Sequence, residues 1–342
     1  MAMNTYGSAT SGNPTNVYAV AELLKSADKV ELLDKFCKTI SVPNNRNEVV
    51  SLLRAVTPDT TGFAEVAEGV NPTPQAVVYE QVTKTFEEYA EVFSVSSRQA
   101  ELGEYDVLMH SKDRMLDKMM RIREQNAWNE FIAGTNVLYN SSAISSRATV
   151  NGVPTIGRFR RATRTLHSNR ATYTREATKG SVNNDTVPVE PSFISLSHTD
   201  TRNDIRAYPG FVPAPKVGGL KDYVPQLFGY VDDIAFFTSQ EFLPTLAGGA
   251  VIGSTGMKST AGVNIDVYHY LVFGREALGK CSLRGMKSKG GLGAVELNVM
   301  DKADKSDPTN QRRLVSVRWW DAPVILNNNW LIRIEGGVTD NP

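Results

Sequence analysis

The sequence predicts an α+β fold, and three observations support this prediction. Residues 46–97 form two extended, alternating runs around a turn-rich tip. One long amphipathic helix pattern follows almost directly. Short strand patterns separated by loops then fill most of the C-terminal half. Strands and helices do not alternate regularly, so a doubly wound α/β sheet is not predicted.

The composition is that of a protein with a packed core. The chain has 342 residues, of which 41% are hydrophobic and 22% charged, enough for two domains or for one domain with large excursions. Lys plus Arg number 37 and Asp plus Glu number 37, so the net charge is zero. A dedicated nucleic-acid reader usually carries a basic excess, which this chain lacks.

The cysteines and the N-terminus indicate where the protein folds. Cys37 and Cys281 are isolated thiols, which predicts neither a disulfide framework nor a zinc cluster and fits a reducing cytoplasm. The first residues lack the basic and apolar regions of a signal peptide. No stretch approaches the roughly 18 apolar residues of a membrane span. We therefore expect a soluble, intracellular protein with no membrane partner.

The N-terminal region is predicted to be an arm that contains one helix. Residues 1–16 are polar, and residues 16–37 carry apolar side chains at helical spacing. Pro43 and the two asparagines after it end the pattern.

The segment 46–97 is predicted to be an extended hairpin. Strand-like runs occur at 49–53 and 76–79, and the tip between them is rich in glycine and proline. A hairpin this long is marginally stable by itself in water, so it needs a partner surface. This segment therefore predicts that the protein assembles with a partner, and it gives no indication of a catalytic role.

The long helix is predicted at residues 106–132, about 40 Å in length at 1.5 Å per residue. Its apolar side chains recur three, four or seven residues apart, and a mixed-charge face lies between them. Gly134 follows as a suitable end. A second, basic helix is predicted at 155–171, and strands are predicted at 192–198, 229–238, 264–273, 314–319 and 330–335.

The strongest enzyme-like motif runs from Gly274 to Cys281 as G-x-x-x-x-G-K-C. A phosphate-binding loop needs Ser or Thr at the last position for Mg²⁺, and it needs a helix directly afterwards. Cys281 is a poor substitute, and the glycine- and lysine-rich continuation predicts a loop. The motif therefore does not predict a nucleotide site.

Other candidate sites are weaker. His198 with Asp200 and Asp204 is a conceivable metal site, although a turn at a strand end explains these residues better. Asp232 and Asp233 would point to opposite faces of a strand, which argues against paired-carboxylate catalysis. The arginines of the 155–171 helix favour a solvated or inter-subunit face over phosphate binding. We expect no catalytic, cofactor or metal site and no enzyme activity.

Four segments, in a fixed order, carry a resemblance to a known family. They are TGFAEVAEGVNP at 61–72, DIR at 204–206 with GFVP at 210–213, LVFGREALG at 271–279, and SVRWW at 316–320 with RIE at 333–335. Together with the order of hairpin and long helix, they resemble the major capsid proteins of tailed double-stranded-DNA bacteriophages. The fold of that family is the Hong Kong phage (Johnson) fold, and the resemblance is greatest to the N-four-like phages.

This resemblance implies a structural role and a domain plan. It implies a major capsid protein that self-assembles into hexamers and pentamers of an icosahedral shell around double-stranded DNA. The implied parts are an N-terminal arm (1–45), an extended hairpin loop (46–97), a peripheral domain with the spine helix (98–150), an axial domain (151–304) and strands returning to the peripheral domain (305–342).

The resemblance also implies partners. These are further copies of the chain, a portal protein, scaffolding or decoration proteins, and packaged DNA contacted without sequence specificity. The protein would lie in the virion capsid after assembly in the host cytoplasm.

The charge pattern suggests which surfaces meet between subunits. The hairpin offers acidic residues near its tip, and the spine helix offers basic ones. We expect the inter-subunit contacts to involve Phe63, Glu65, Glu68, Arg114, Lys118 and Arg121. Two alternatives remain open: an encapsulin-like compartment of the same fold, and a virion protein that binds a receptor through exposed aromatic residues.

Overall fold

A computed structural model describes most of the chain. The described residues are 32–43, 48–56, 65, 68–69, 71, 74, 76–102, 107–176, 190–217, 226–253, 255–284, 295–300, 307–309 and 311–340. The helices are α1 (Ser97–Leu102), α2 (Val107–Phe131), α3 (Ile156–Ser168) and α4 (Arg202–Arg206).

The strands form three sheets. They are β1 (Lys38–Pro43), β2 (Val49–Ala55), β3 (Tyr79–Thr85), β4 (Glu87–Ser96), β5 (Val137–Tyr139), β6 (Phe193–His198), β7 (Val212–Pro213), β8 (Leu227–Val231), β9 (Ile234–Ser239), β10 (Tyr268–Phe273), β11 (Leu278–Arg284), β12 (Val295–Met300), β13 (Arg312–Ile325) and β14 (Leu331–Gly336). One sheet has seven strands, in the order β5-β14-β10-β6-β9-β8-β7. A second has five strands, and the third is the β2–β3 pair.

The described residues divide into two compact units. The smaller comprises those within 90–119 and 296–318, and it includes most of β4 and β12 and the first half of β13. The larger comprises those within 32–89, 120–295 and 319–340. It contains the seven-stranded sheet, the β2–β3 pair, and β1 and β11 of the five-stranded sheet.

The seven-stranded sheet is covered on both faces, which explains why its central strands are apolar throughout. On one face the C-terminal end of α2 packs with Trp128 and Phe131 against Leu196 of β6. On the other face α3 packs with Phe159 and Leu166, among side chains from β6, β9 and β10. The alternating side chains of each strand thus fill two separate cores.

The five-stranded sheet joins segments that are distant in sequence. Strand β1 pairs in parallel with β11, Lys38 lying opposite Gly279, and β11 pairs antiparallel with β13. Strands β12 and β4 also pair with β13.

Several sequence predictions are confirmed, and others need correction. The long helix and the basic helix occur at nearly the predicted bounds. The predicted strand at 229–238 is wrong, because β8 and β9 form a hairpin whose turn holds Asp232 and Asp233. Asp232 has a positive φ of 45° there, so the two carboxylates do not alternate across a strand.

The N-terminal prediction is only partly covered. Residues 16–31 of the expected helix lie outside the described residues, and the described end holds only a 3₁₀ turn at Leu33–Lys35. Strand β1 was not predicted. Its sequence is short and polar at its start, and its pairing with β11 is a long-range contact that local patterns do not reveal.

Candidate assembly surfaces

The β2–β3 hairpin has one face turned toward the protein and one turned away from it. Val50 of β2 and Phe86, directly after β3, are buried in a cluster with Cys281, Ala322 and Val324. On the opposite face Leu53 is 73% exposed and Tyr79 is 61% exposed. Because side chains alternate along a strand, Val49 lies on this same face, together with the polar Ser51 and Gln81, so the face is mixed with exposed apolar side chains on it.

The base of the hairpin is fixed by cross-strand pairs and an ion pair. Val49 lies opposite Thr85, and Ala55 opposite Tyr79. Lys84 of β3 lies 2.7 Å from a carboxylate oxygen of Glu130 on α2. The hairpin ends at Thr85, and the chain continues into β4 of the five-stranded sheet.

A groove of about 700 Å³ lies beside the hairpin. Leu52 and Val82 of the hairpin line it together with Trp330, which is half-buried. Two ion pairs also belong to its lining: Lys38 with Glu276, at 2.9 Å, and Arg54 with Glu80. The groove therefore combines apolar walls with two ion pairs and the side chain of Arg170.

The predicted contact residues at the hairpin tip are only partly described. Phe63 lies outside the described residues. Glu65 and Glu68 are exposed, and Gly69 has a positive φ of 86°, typical of a tight turn. The tip thus presents at least two carboxylates to solvent.

The predicted basic contacts on α2 have different surroundings. Arg114 is exposed. Lys118 pairs with Glu91 of β4 and lies 5.8 Å from the centre of the Phe93 ring, both in its own chain. Arg121 lies 3.1 Å from Glu241, again within the chain.

A network of charged groups holds the start of the described chain against α2. Glu124 accepts hydrogen bonds from the backbone N–H groups of Leu32 and Leu33, and each nitrogen lies 3.2 Å from Oε1 of its carboxylate. Asp34 receives Lys280 at 2.7 Å and Arg123 at 3.4 Å. Sequence patterns missed this network, because its members come from three separated segments.

Lys280, the lysine of the motif that resembles a phosphate-binding loop, belongs to this network. Lys280 lies on β11, so a strand and not a helix follows the second glycine. Its ammonium group is committed to Asp34 and lies 3.9 Å from Asp321. Burial raises the pKa of Asp321, although the charges of Lys280 and Arg123 partly offset this effect. The lysine stabilises the fold and has no geometry for binding a nucleotide.

The candidate metal residues at 198–204 form turn contacts. His198 caps a 3₁₀ turn and accepts a hydrogen bond from the N–H of Asp200 at 3.1 Å. Asp200 receives Lys258 at 2.6 Å and the hydroxyl of Tyr268 at 2.8 Å. Asp204 instead accepts hydrogen bonds from Thr339. Among the described residues, no group of His, Cys, Asp and Glu is placed to hold a metal ion.

A second buried charge cluster was not anticipated from the sequence. Arg147 donates two hydrogen bonds to Glu335, at 2.7 and 3.0 Å, and Arg333 lies 2.9 Å from the same carboxylate. Burial opposes ionisation of Glu335, but these cations and His269 outweigh it and lower its pKa. Burial lowers the pKa of His269 to about 4, and its Nε2 atom lies 2.9 Å from the hydroxyl of Thr245.

Three tryptophans in the C-terminal part of the chain pack against other side chains or the backbone. Trp319 is buried and its ring stacks on Tyr89 at 5.5 Å. Trp330 lies at the end of a 3₁₀ turn, not in a strand, and donates a hydrogen bond to the carbonyl of Asn169. Trp320 packs against the cluster around Phe86.

In the described part of the chain, no helix is long and apolar enough to cross a membrane.

Comparison with known sequences finds no match: neither a protein-family model nor a curated protein matches the chain.

Comparison with solved structures finds matches over nearly the full length. The capsid of Ralstonia phage GP4 aligns with a TM-score of 0.65 at 13% identity, over 98% of this chain and 99% of that chain. The capsid of cyanophage Pam1 aligns at 0.64 and 9% identity, over 99% and 100%. The capsid of Helicobacter pylori bacteriophage KHP30 aligns at 0.59 and 12% identity, over 99% of both chains.

These matches confirm the fold predicted from the residue order, although the sequences have diverged too far to match directly. Coverage above nine-tenths of both chains means that the likeness extends over the whole fold and is not limited to one part of it. The chain has the fold of bacteriophage major capsid proteins.

Proposed function

We propose that this chain is the major structural protein of a phage capsid, which assembles into hexamers and pentamers of an icosahedral shell around a double-stranded DNA genome. The observation that carries the proposal is the outer face of the β2–β3 hairpin. It exposes Leu53 and Tyr79 on an element that one chain leaves uncovered. The full-length likeness to phage capsids supports the proposal.

The hairpin is the element that we assign to contact with a neighbouring subunit. Apolar side chains on an exposed two-stranded sheet favour association. Each Å² of apolar surface that the contact removes from water stabilises it by about 25 cal/mol. The acidic tip, with Glu65 and Glu68, then meets basic side chains of the neighbour, for which Arg114, Lys118 and Arg121 are the candidates. Lys118 and Arg121 also pair with carboxylates of their own chain, and Arg114 likewise has an interaction within the chain.

The remaining assignments follow the same plan. We assign residues 1–45 to an arm, 98–150 to a peripheral domain around α2, 151–304 to an axial domain and 305–342 to strands that return to the peripheral domain. Portal, scaffolding or decoration proteins and packaged DNA are the further partners. The protein is made in the host cytoplasm and ends in the virion.

The protein acts as a building block and not as an enzyme. The residues that resembled a phosphate loop or a metal site are committed to structural contacts, as Lys280 and His198 show. The matched structures named above are phage capsids, and they favour a viral shell over an encapsulin-like compartment. Trp319 is buried, so its ring is not exposed for binding a receptor.

Electron microscopy of the purified full-length protein tests the proposal. We expect closed shells or their hexameric and pentameric units. Deletion of residues 60–72 should leave a folded, soluble chain that forms no shells, because the hairpin base at β2–β3 stays intact. Normal shells from this deletion, or a monomer at every concentration of the wild-type chain, would contradict the proposal.

A further inference from the structure

Helix α3 carries a charge pattern that the proposed function does not use. It contains four arginines and no acidic residue in 13 positions, within a chain of zero net charge. Its inner face packs Phe159, Ala162 and Leu166 into the core of the larger unit. From the sequence alone, these arginines favoured a solvated or inter-subunit face over phosphate binding.

The structure shows what the outer face of α3 presents. Six residues at helical spacing are all exposed: Gly157, Arg160, Arg161, Arg164, Thr165 and Ser168. Residues three or four apart on a helix have Cβ atoms about 5–6 Å from one another, so the three guanidinium groups form one strip. We call these six residues the α3 basic face.

One of the three arginines is held in place, and two remain available. Arg160 donates to Asp232 in the β8–β9 turn at 2.7 Å. Among the described residues, neither Arg161 nor Arg164 takes part in an ion pair. In the part of the chain that the structure describes, two exposed guanidinium groups therefore have no carboxylate partner.

The composition of the face discriminates between a protein partner and a nucleic acid. The core of a protein–protein interface is enriched in aromatic and other apolar side chains, and the α3 basic face has none. Arginine and hydroxyl side chains are the groups that contact phosphate oxygens, and both kinds are present here. The α3 basic face has no acidic residue of its own, and the carboxylate beside it, Asp232, is paired with Arg160.

We propose that the α3 basic face binds the phosphate backbone of double-stranded nucleic acid. The binding is independent of sequence, because the contacts that we assign are to phosphate oxygens, which carry no sequence information. This inference rests on the proposed function, since a shell protein meets DNA only where a genome is enclosed. It adds to that function the specific surface, with Arg161 and Arg164 as its phosphate contacts.

The test is fluorescence anisotropy of a short labelled duplex with the unassembled full-length protein, over a range of salt concentrations. Phosphate contacts release counterions, so affinity should fall with salt on a log–log plot. In Arg161→Gln/Arg164→Gln the slope should be less steep by about two, one for each lost contact. The control Lys35→Gln/Lys216→Gln removes the same charge from exposed sites elsewhere and should keep the wild-type slope.

Electron microscopy of the same three proteins separates this inference from the proposed function. Shells from all three, with weaker DNA binding only in the arginine double variant, support the inference. If the arginine variant binds DNA like wild type, or if it loses shell assembly but keeps DNA binding, the α3 basic face is not a phosphate site. If the wild type forms no shells, that result counts against the proposed function. The difference in salt dependence of DNA affinity between wild type and the arginine variant then still decides whether the α3 basic face binds phosphate.

Discussion

Lys118 of α2 and Glu91 of β4 form an ion pair within one chain. Lys118 had been expected to face a charge of a neighbouring subunit. Since each is already neutralised locally, the acid on β4 is a weak candidate for contacts between subunits. The candidate charge contact moves to the hairpin tip, where Glu65 and Glu68 are exposed.

Reversing the tip charge should impair assembly without unfolding the chain. We expect Glu65→Lys/Glu68→Lys to slow shell formation in light-scattering assays and to leave the melting temperature of the free subunit unchanged. Complementary charge mainly sets association rate and register, and salt screens it over about 8 Å at physiological ionic strength.

The control for this prediction is Glu91→Gln, which removes only the local pair with Lys118. An exposed pair of this kind contributes at most about 1 kcal/mol. Assembly that is indifferent to both the tip reversal and added salt would mean that the contacts are apolar.

The two faces of the hairpin should respond differently to truncation. Phe86→Ala removes a side chain that is 4% exposed and should lower the free energy of unfolding by about 3 kcal/mol. Leu53→Ala changes a side chain on the open face and should leave chemical denaturation of the free chain nearly unchanged.

The same Leu53→Ala variant should raise the protein concentration needed for shell formation, because the apolar contact with the neighbour is lost. Sedimentation at a series of concentrations measures this threshold. An unchanged threshold would show that the outer face is not covered in the shell.

The cluster around His269 predicts a loss of stability in mild acid. Its pKa is about 4 in the folded chain, against 6.5 as its ordinary value, so the unfolded chain takes up the proton first. Stability is therefore lost as the pH falls from 6.5 toward 4, by about 1.4 kcal/mol per pH unit.

His269→Gln isolates this effect, because glutamine can keep a hydrogen bond to Thr245 but does not titrate. Urea denaturation at pH 7 and pH 4.5 should show wild type losing about 3 kcal/mol more than the variant. The exposed His167→Gln serves as the matched control and should follow wild type. Equal losses in wild type and His269→Gln would contradict the assignment.

Two glycines should respond to alanine in opposite directions. A Cβ at Gly336 would lie 2.3 Å from Cγ of Pro154, a contact that real side chains do not make. Gly336→Ala should therefore destabilise the chain by roughly 1–3 kcal/mol, the range for overpacking a close contact. Gly157 on α3 is exposed, and its nearest neighbour would be 3.8 Å away.

At Gly157 the ordinary helix preference for alanine should dominate and raise stability by about 0.5–1 kcal/mol. Thermal denaturation of both variants measures the difference. A stable Gly336→Ala variant would mean that the backbone around Pro154 can move apart.

The sequence predicted those elements whose signal is local. Helix α2 and helix α3 repeat their apolar residues at helical spacing, so both were found close to their bounds. The turn at Asp232 was missed because apolar runs on both sides resemble one continuous strand. Strand β1 was missed because it exists through parallel pairing with β11, more than 200 residues away in the chain.

The features of the candidate surfaces also divide into those that local sequence reveals and those that depend on long-range contacts. Acid near the hairpin tip is visible in the sequence, since it needs only local exposure. Pairing of Lys118 with Glu91, or of Lys280 with Asp34, depends on which segments the fold brings together. Single-sequence charge patterns show how many charges an element carries, but they do not show which of those charges are already neutralised.

The two native thiols are protected in ways that make the chain suited to site-specific labelling. Cys281 is buried in the cluster behind the hairpin, and burial together with the charge of Asp34 raises the pKa of Cys37 well above its usual range. Since the thiolate is the reactive form, maleimide reagents should modify both slowly. A cysteine placed at Glu68 would therefore react first, and a fluorophore there would report in real time when the tip leaves solvent.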